Sequence, residues 1–232
     1  MTKNRVGYFI VVDGPNGSGK TTQCKLLKEH FENLGHDVIL TREPGGSPEA
    51  ELIRNLLVNG DPGRWDGISE LLLFAAARRN HVETIIKPAI ASGKIVICDR
   101  FVSSTIAYQG YGNGISLDII DTITQIAIGS FEPDLTILMF VDLETSLAQS
   151  KGRRAGVEPR FTSFDNEYHT RVYKGFESLI PKYGVELSSY VPLYIRSQTT
   201  IAEVTTALIN IIIPQLLRKE YRTPSNIDST IL

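Results

Sequence analysis

Gly14-Pro15-Asn16-Gly17-Ser18-Gly19-Lys20-Thr21-Thr22 follows the apolar run Tyr8–Val12 and opens a helical stretch near Lys20. A glycine-rich turn between a strand and a helix can fold back so that its amide N–H groups converge on a phosphate. The lysine then reaches the β and γ oxygens, and the hydroxyl after it reaches magnesium. This GxxxxGKT pattern therefore predicts a nucleoside triphosphate site built from all nine residues, with Thr21 as a metal ligand. A bare strand-to-helix turn is the competing reading, disfavoured by the complete GKT and by correct flanks on both sides. A β-branched residue at Gly14 or Gly19 should obstruct the loop.

Strand-like runs recur at Tyr8–Val12, Val38–Thr41, Ile95–Cys98, Leu135–Val141 and Val191–Ile195, separated by longer segments of helical periodicity. Such alternation predicts a parallel sheet with its ligands at the carboxyl ends of the strands. Unbroken apolarity in Ile10–Val12 and Ile95–Ile97 predicts strands covered on both faces. Ser47, Pro48 and Glu49 read as a helix start, with a serine cap and proline in the first turn. Ile68–Ala91 reads as one long helix that Pro88 kinks or ends. Residues 151–161 form a basic, glycine-containing loop, and residues 219–232 read as a frayed tail.

The 232 residues suit a single domain, since no linker divides them. With 24 Lys and Arg against 26 Asp and Glu, no global basic field argues for nucleic acid. Cys24 and Cys98 lie in apolar contexts and suit buried thiols in a reducing cytoplasm. The amino terminus carries no signal-peptide core, and no long uncharged apolar stretch is evident, so no membrane association is expected.

Three further segments are informative. Thr41-Arg42-Glu43-Pro44-Gly45-Gly46 follows the second strand, Phe74-Ala75-Ala76-Ala77-Arg78 lies in the long helix, and Asp99-Arg100-Phe101-Val102-Ser103-Ser104-Thr105-Ile106-Ala107-Tyr108-Gln109-Gly110 follows the third strand. With the glycine-rich loop they make the chain resemble the bacterial thymidylate kinases over most of its length. The resemblance implies the P-loop NTPase three-layer α/β fold, a five-stranded parallel sheet flanked by helices with an arginine-bearing lid. It also implies transfer of the γ-phosphoryl group of Mg·ATP to dTMP, and a homodimer. Residually open are a relative acting on another nucleoside monophosphate and a nucleotide-binding protein without transfer activity.

The residues suit that chemistry. An acceptor phosphate is already ionised, so catalysis reduces to aligning two polyanions and neutralising charge. Lys20, Arg42, Arg100, Arg153 and Arg160 supply cations, and arginine's fork suits bidentate phosphate contact. By the resemblance, Arg100 holds the acceptor phosphate, while Arg153 and Arg160 of the lid reach the transferring group. Phe74 stacks on thymine and Arg78 reaches a carbonyl of the base, although the same residues fit a core position and a solvated helix face. Thr105 and Tyr108 resemble positions near base and sugar. Glu43, Ser104 and Gln109 are grouped with the acceptor site. Asp99 is the expected magnesium ligand, with Asp13 as competitor and as an acceptor-site candidate; capping of backbone amides is the alternative for both.

Some positions depart from the family pattern. Asn16 stands where an acid approaching the acceptor's 3′-hydroxyl is usual, and Pro159 where an aspartate precedes the lid arginine. Tyr173 replaces an arginine, and Arg196-Ser197-Gln198 occupies the loop near adenine.

Overall fold

The computed structural model describes residues 7–61, 63–152, 164–180 and 190–222. Its centre is a five-stranded, wholly parallel sheet of β1 (Tyr8–Asp13), β2 (Val38–Arg42), β3 (Ile95–Asp99), β4 (Leu135–Phe140) and β5 (Tyr190–Tyr194), in the order β2-β3-β1-β4-β5. Each strand lies within one residue of its predicted bounds.

Parity along the strands splits the core into two layers. Tyr8, Ile10 and Val12 of β1 share one face with Ile95, Ile97, Leu135, Ile137 and Met139, packed under Cys24, Leu27 and Phe31 of α1 (Lys20–Asn33). The same layer receives Val204, Leu208, Ile212 and Leu216 of a long terminal helix, Ile201–Arg222. Phe9, Val11, Val96 and Cys98 face the other way, against Val82, Ile86, Phe101 and Ala127. Alternate residues of one strand point to opposite faces, so an unbroken apolar run is what a sheet covered on both sides requires.

The helices start where their caps are. Ser47 caps α2 (Pro48–Val58) by accepting from the Ala50 amide at 3.3 Å, as expected, with Glu49 and Glu51 in the first turn. Asp66 caps α3 (Gly67–His81) through the amides of Ile68 and Ser69. The expected single helix over 68–91 is instead three pieces: α3, a π-helical turn at Val82–Ile86, and α4 (Lys87–Ala91). The widened turn ends two residues before Pro88, which has no N–H to continue the α-helical ladder and whose ring crowds the preceding turn. A second π-helical turn, Ile106–Gly112, follows the short α5 (Val102–Thr105). Then come α6 (Leu117–Ile128), α7 (Leu143–Gly152), α8 (Asn166–Ser178) and α9, the long terminal helix named above.

Two expectations are corrected here. Residues 219–222, expected to fray, continue α9, where Lys219 pairs with Asp134 at 2.6 Å. Residues 151 and 152, assigned to the lid, end α7. Lid positions 153–161 and tail positions 223–232 lie outside the described residues. By length and composition alone Ile201–Lys219 would also pass for a membrane span, although Glu203, Arg218 and Lys219 lie within it. Its every-fourth-residue apolar stripe is committed to the core layer under α1.

Candidate active site

β1 ends at Asp13, and the chain turns through the glycine-rich loop into α1. Gly14 adopts φ 132°, and a Cβ there would lie 2.2 Å from the Met139 carbonyl oxygen. Gly19 adopts φ 86° with nothing within 4 Å of the corresponding position. The two glycines are therefore required for different reasons, close approach to β4 at Gly14 and left-handed backbone alone at Gly19. Within the loop, Lys20 Nζ donates to the carbonyls of Gly14 (2.9 Å) and Pro15 (2.7 Å) and to Ser18 Oγ (3.2 Å). The ammonium is thus held inside the curl by Gly14, Pro15 and Ser18. At its rim Thr21 and Thr22 are exposed. Thr21 Oγ1 donates to Asp99 Oδ2 at 2.5 Å, bringing the two expected metal ligands together at the end of β3.

The next residue, Arg100, has φ 78°, a left-handed conformation costing a non-glycine residue roughly 1–2 kcal/mol. The contacts that hold it there are specific. Its amide donates to Val12 O at 3.1 Å, and its guanidinium donates to Asn16 Oδ1 (2.6 Å) and Ser104 Oγ (3.0 Å), with Tyr108's ring 5.3 Å from Cζ. The turn so formed sets the guanidinium beside the phosphate loop.

Asp13 is corrected by the structure. It is fully buried and accepts from the amides of Gly14, Phe101 and Ser104 and from the hydroxyls of Ser103 and Ser104, at 2.6 to 3.2 Å. Both oxygens are spent lacing the phosphate loop to the segment after β3, which leaves them neither for a nucleotide nor for a metal. Arg42, at the end of β2, is exposed and makes a two-bond pair with Glu51 at 3.1 Å.

The remaining acceptor-site residues converge. Asn16, Glu43, Phe74, Arg78, Arg100, Ser104, Thr105, Tyr108 and Gln109 line one cleft, with Pro44 and Phe101. Phe74 belongs to none of the core clusters and is only half-buried, so its place is the cleft wall and not the interior. Arg78 is buried: Nε donates to Glu43 Oε2 (2.7 Å) and Nη2 to Thr105 Oγ1 (2.9 Å), over the Phe101 ring. Burial pushes the Glu43 carboxyl up, but the Arg78 charge and the bonds from His81 and Arg78 outweigh it and hold the carboxyl below its ordinary range. Beyond these, Gln109 Nε2 donates to buried Glu70 at 2.8 Å, and Asn113 Nδ2 to the same oxygen at 3.1 Å.

Sequence reasoning missed Glu70, His81, Phe101 and Ser146, the last of which anchors the phosphate loop by donating to Asn16 O at 3.0 Å. One signal was present: Glu70, Phe74, Arg78 and His81 follow one another at steps of four, four and three along α3, so they share one face of the helix. Polar residues on the buried side of such a helix need partners. Arg153 and Arg160 lie outside the described residues.

A second, more open cleft lies beyond the ends of β4 and β5, lined by Asp142, Tyr173, Tyr194, Arg196, Ser197, Gln198 and neighbours. Tyr173 Oη donates to Val141 O at 3.0 Å, so the residue that departs from the family arginine serves as a wall of this cleft.

A family model described as thymidylate kinase matches residues 12–187. A thymidylate kinase of Ruegeria pomeroyi is 50% identical over 178 residues, covering 77% of this chain and 83% of that protein. That of Caulobacter vibrioides is 38% identical over 213 residues, covering 90% and 98%. The crystal structure of thymidylate kinase from Ehrlichia chaffeensis superposes with a TM-score of 0.69 at 35% identity, covering 89% of this chain and 98% of that one.

Proposed function

The chain belongs to the thymidylate kinase family, and from that membership and the cleft's geometry we infer that it transfers the γ-phosphoryl group of ATP to dTMP, giving dTDP and ADP. The observation that carries this reading is the convergence of an aromatic face, Phe74, a fixed guanidinium, Arg78, and a second guanidinium, Arg100, in one cleft beside the phosphate loop. Those groups match the base and the phosphate of a nucleoside monophosphate.

The reaction needs no base, because the attacking oxygen belongs to an ionised phosphate. Arg100 orients that phosphate, and Lys20 neutralises charge on the donor's β and γ oxygens. Phe74 supplies a stacking surface for thymine, and Arg78 a donor for a carbonyl of the base. Arg153 and Arg160 are assigned to the transferring phosphoryl. Asn16, its carbonyl taken by Arg100, keeps an amide N–H₂ for the sugar. The donor base falls to the second cleft, beside Arg196 and Gln198.

Magnesium suits the donor set at the mouth of the loop. Thr21 and Asp99 present one hydroxyl and one carboxylate, the small oxygen contribution that Mg²⁺ takes while keeping most of its waters. When bound, it would neutralise charge on the ATP phosphates.

We assign the homodimer to the faces of α2, α3 and α6. Leu52, Leu56, Leu72, Leu117 and Ile126 are exposed there, and a second copy would cover them. Sedimentation that gives the mass of one chain would remove the dimer. A cytoplasmic location fits the two buried free thiols, Cys24 and Cys98, and neither nucleic acid nor membrane is assigned as a partner.

An ADP-release assay with Mg·ATP tests the central reading, offering dTMP, dUMP, UMP, CMP and dGMP one at a time. Preference for dTMP is expected. Preference for another acceptor, or no turnover with any, would overturn it.

A further inference from the structure

His81 takes no part in the chemistry above, yet it is fully buried behind the acceptor cleft and has both ring nitrogens engaged. Nδ1 lies 3.2 Å from Glu43 Oε1, and Nε2 lies 2.7 Å from Thr41 Oγ1. A carboxylate only accepts, so Nδ1 donates to Glu43. The ring is wedged against the backbone of Gly46, where a Cβ would come within 2.3 Å of Nε2 and 2.4 Å of Thr41 Oγ1. It cannot turn without displacing that loop.

The chain of contacts then runs from Thr41 through His81 and Glu43 to Arg78, and from Arg78 Nη2 to Thr105. Glu43 is thereby shared: Oε1 meets histidine and Oε2 meets Arg78 Nε. An unshared carboxylate beside a guanidinium adopts the two-bond fork, with both oxygens on adjacent nitrogens. That arrangement would draw Nη2 away from Thr105 and tilt the guanidinium out of its present plane. Sharing with His81 prevents it.

We propose that His81, held by Thr41, is a positioning residue for recognition of the acceptor base: by occupying one oxygen of Glu43 it limits Arg78 to a single bond with that carboxylate and so fixes the guanidinium in the cleft. This rests on the acceptor cleft being the dTMP site. Position matters because a donor misplaced by about 1 Å forfeits much of its effect on a bound substrate.

The test measures equilibrium binding of dTMP and of ATP separately, with ADP release alongside, in the full-length protein. His81→Leu removes both ring contacts at similar volume. It should weaken dTMP roughly tenfold and leave ATP affinity within about twofold, because Lys20 is held by loop groups, Gly14 O, Pro15 O and Ser18 Oγ, that do not belong to the network. In an Arg78→Ala background it should add almost nothing to the loss of dTMP affinity, since the residue through which it acts is gone. Unchanged dTMP affinity, an equal loss of both nucleotides, or full additivity with Arg78→Ala would overturn the proposal. Should His81→Leu fail to fold, Thr41→Val loosens the ring alone. It should weaken dTMP about threefold, and a folded Thr41→Val with wild-type dTMP affinity would likewise overturn it. Wild-type binding without turnover would sink the kinase reading but leave this test intact, whereas no binding of dTMP at all would sink both.

Discussion

The two clefts at the carboxyl end of the sheet are built differently. Glu43, Arg78, Thr105 and Gln109 of the acceptor cleft are buried and bonded to one another or to Glu70 and His81 behind them. Around the second cleft, Asp142, Tyr194 and Arg196 to Thr199 are exposed, and their local bonds are mostly those of turns and caps, such as Thr199 N to Arg196 O. A buried polar group without its partner costs about 1–3 kcal/mol, so a ligand that fails to match the first cleft is penalised. Water can replace a missing partner in the second. Selectivity should therefore reside on the acceptor side, with the donor side tolerant.

Substitutions that break the comparison can be ranked. Lys20→Ala removes the cation at the centre of the phosphate loop, and turnover should fall by on the order of a thousandfold with thermal stability nearly kept. Turnover near wild type would remove Lys20 from the transfer step. Arg100→Ala should lower kcat/KM by about a hundredfold or more through the acceptor, while relieving a left-handed backbone only in part. If ATP affinity fell as much as dTMP affinity, the assignment of Arg100 to one side would be wrong. Phe74→Ala should raise KM for dTMP by roughly tenfold, the weight of one stacking contact. Because Phe74 is half-buried, its melting temperature should drop far less than for a core phenylalanine such as Phe31.

Acid sharpens the contrast further. Glu43 has a folded carboxyl held below the ordinary range, so its contribution to stability is complete above the unfolded value of about 4.3 and disappears as pH falls through the lower folded one. Affinity for dTMP should decline over that acidic window, and Glu43→Gln should remove this part of the dependence. The smallest effect is expected on the donor side. Gln198→Ala, at an exposed position, should change KM for ATP by less than about threefold. A tenfold rise would show that the donor cleft is as selective as its neighbour.

Much of the site was legible beforehand because its parts are local. The phosphate loop, the Ser47 cap and the Asp99-Arg100 pair at a strand end are set by short-range geometry, and residue type and spacing reveal them. Asp13 was misread for the opposite reason. A lone aspartate at a strand end looks alike whether it meets a metal or five backbone and serine donors. Only the return of residues 101–104 over the end of β1, 88 to 91 positions later, decides. The partner of Arg42, Glu51 of α2, is equally a product of the fold.

The parallel sheet, the strand bounds to within a residue, the phosphate loop and the family resemblance could all be read from the order of residues. Those depend on periodicity, glycine placement and motif order along the chain. Tertiary structure alone decided which carboxylates are structural, that Phe74 is a wall and not core, and that Thr41, His81, Glu43, Arg78 and Thr105 form one connected network. The reason is that burial and hydrogen-bond partnership are properties of segments brought together from distant positions, and neither has a signature at the residue that bears it.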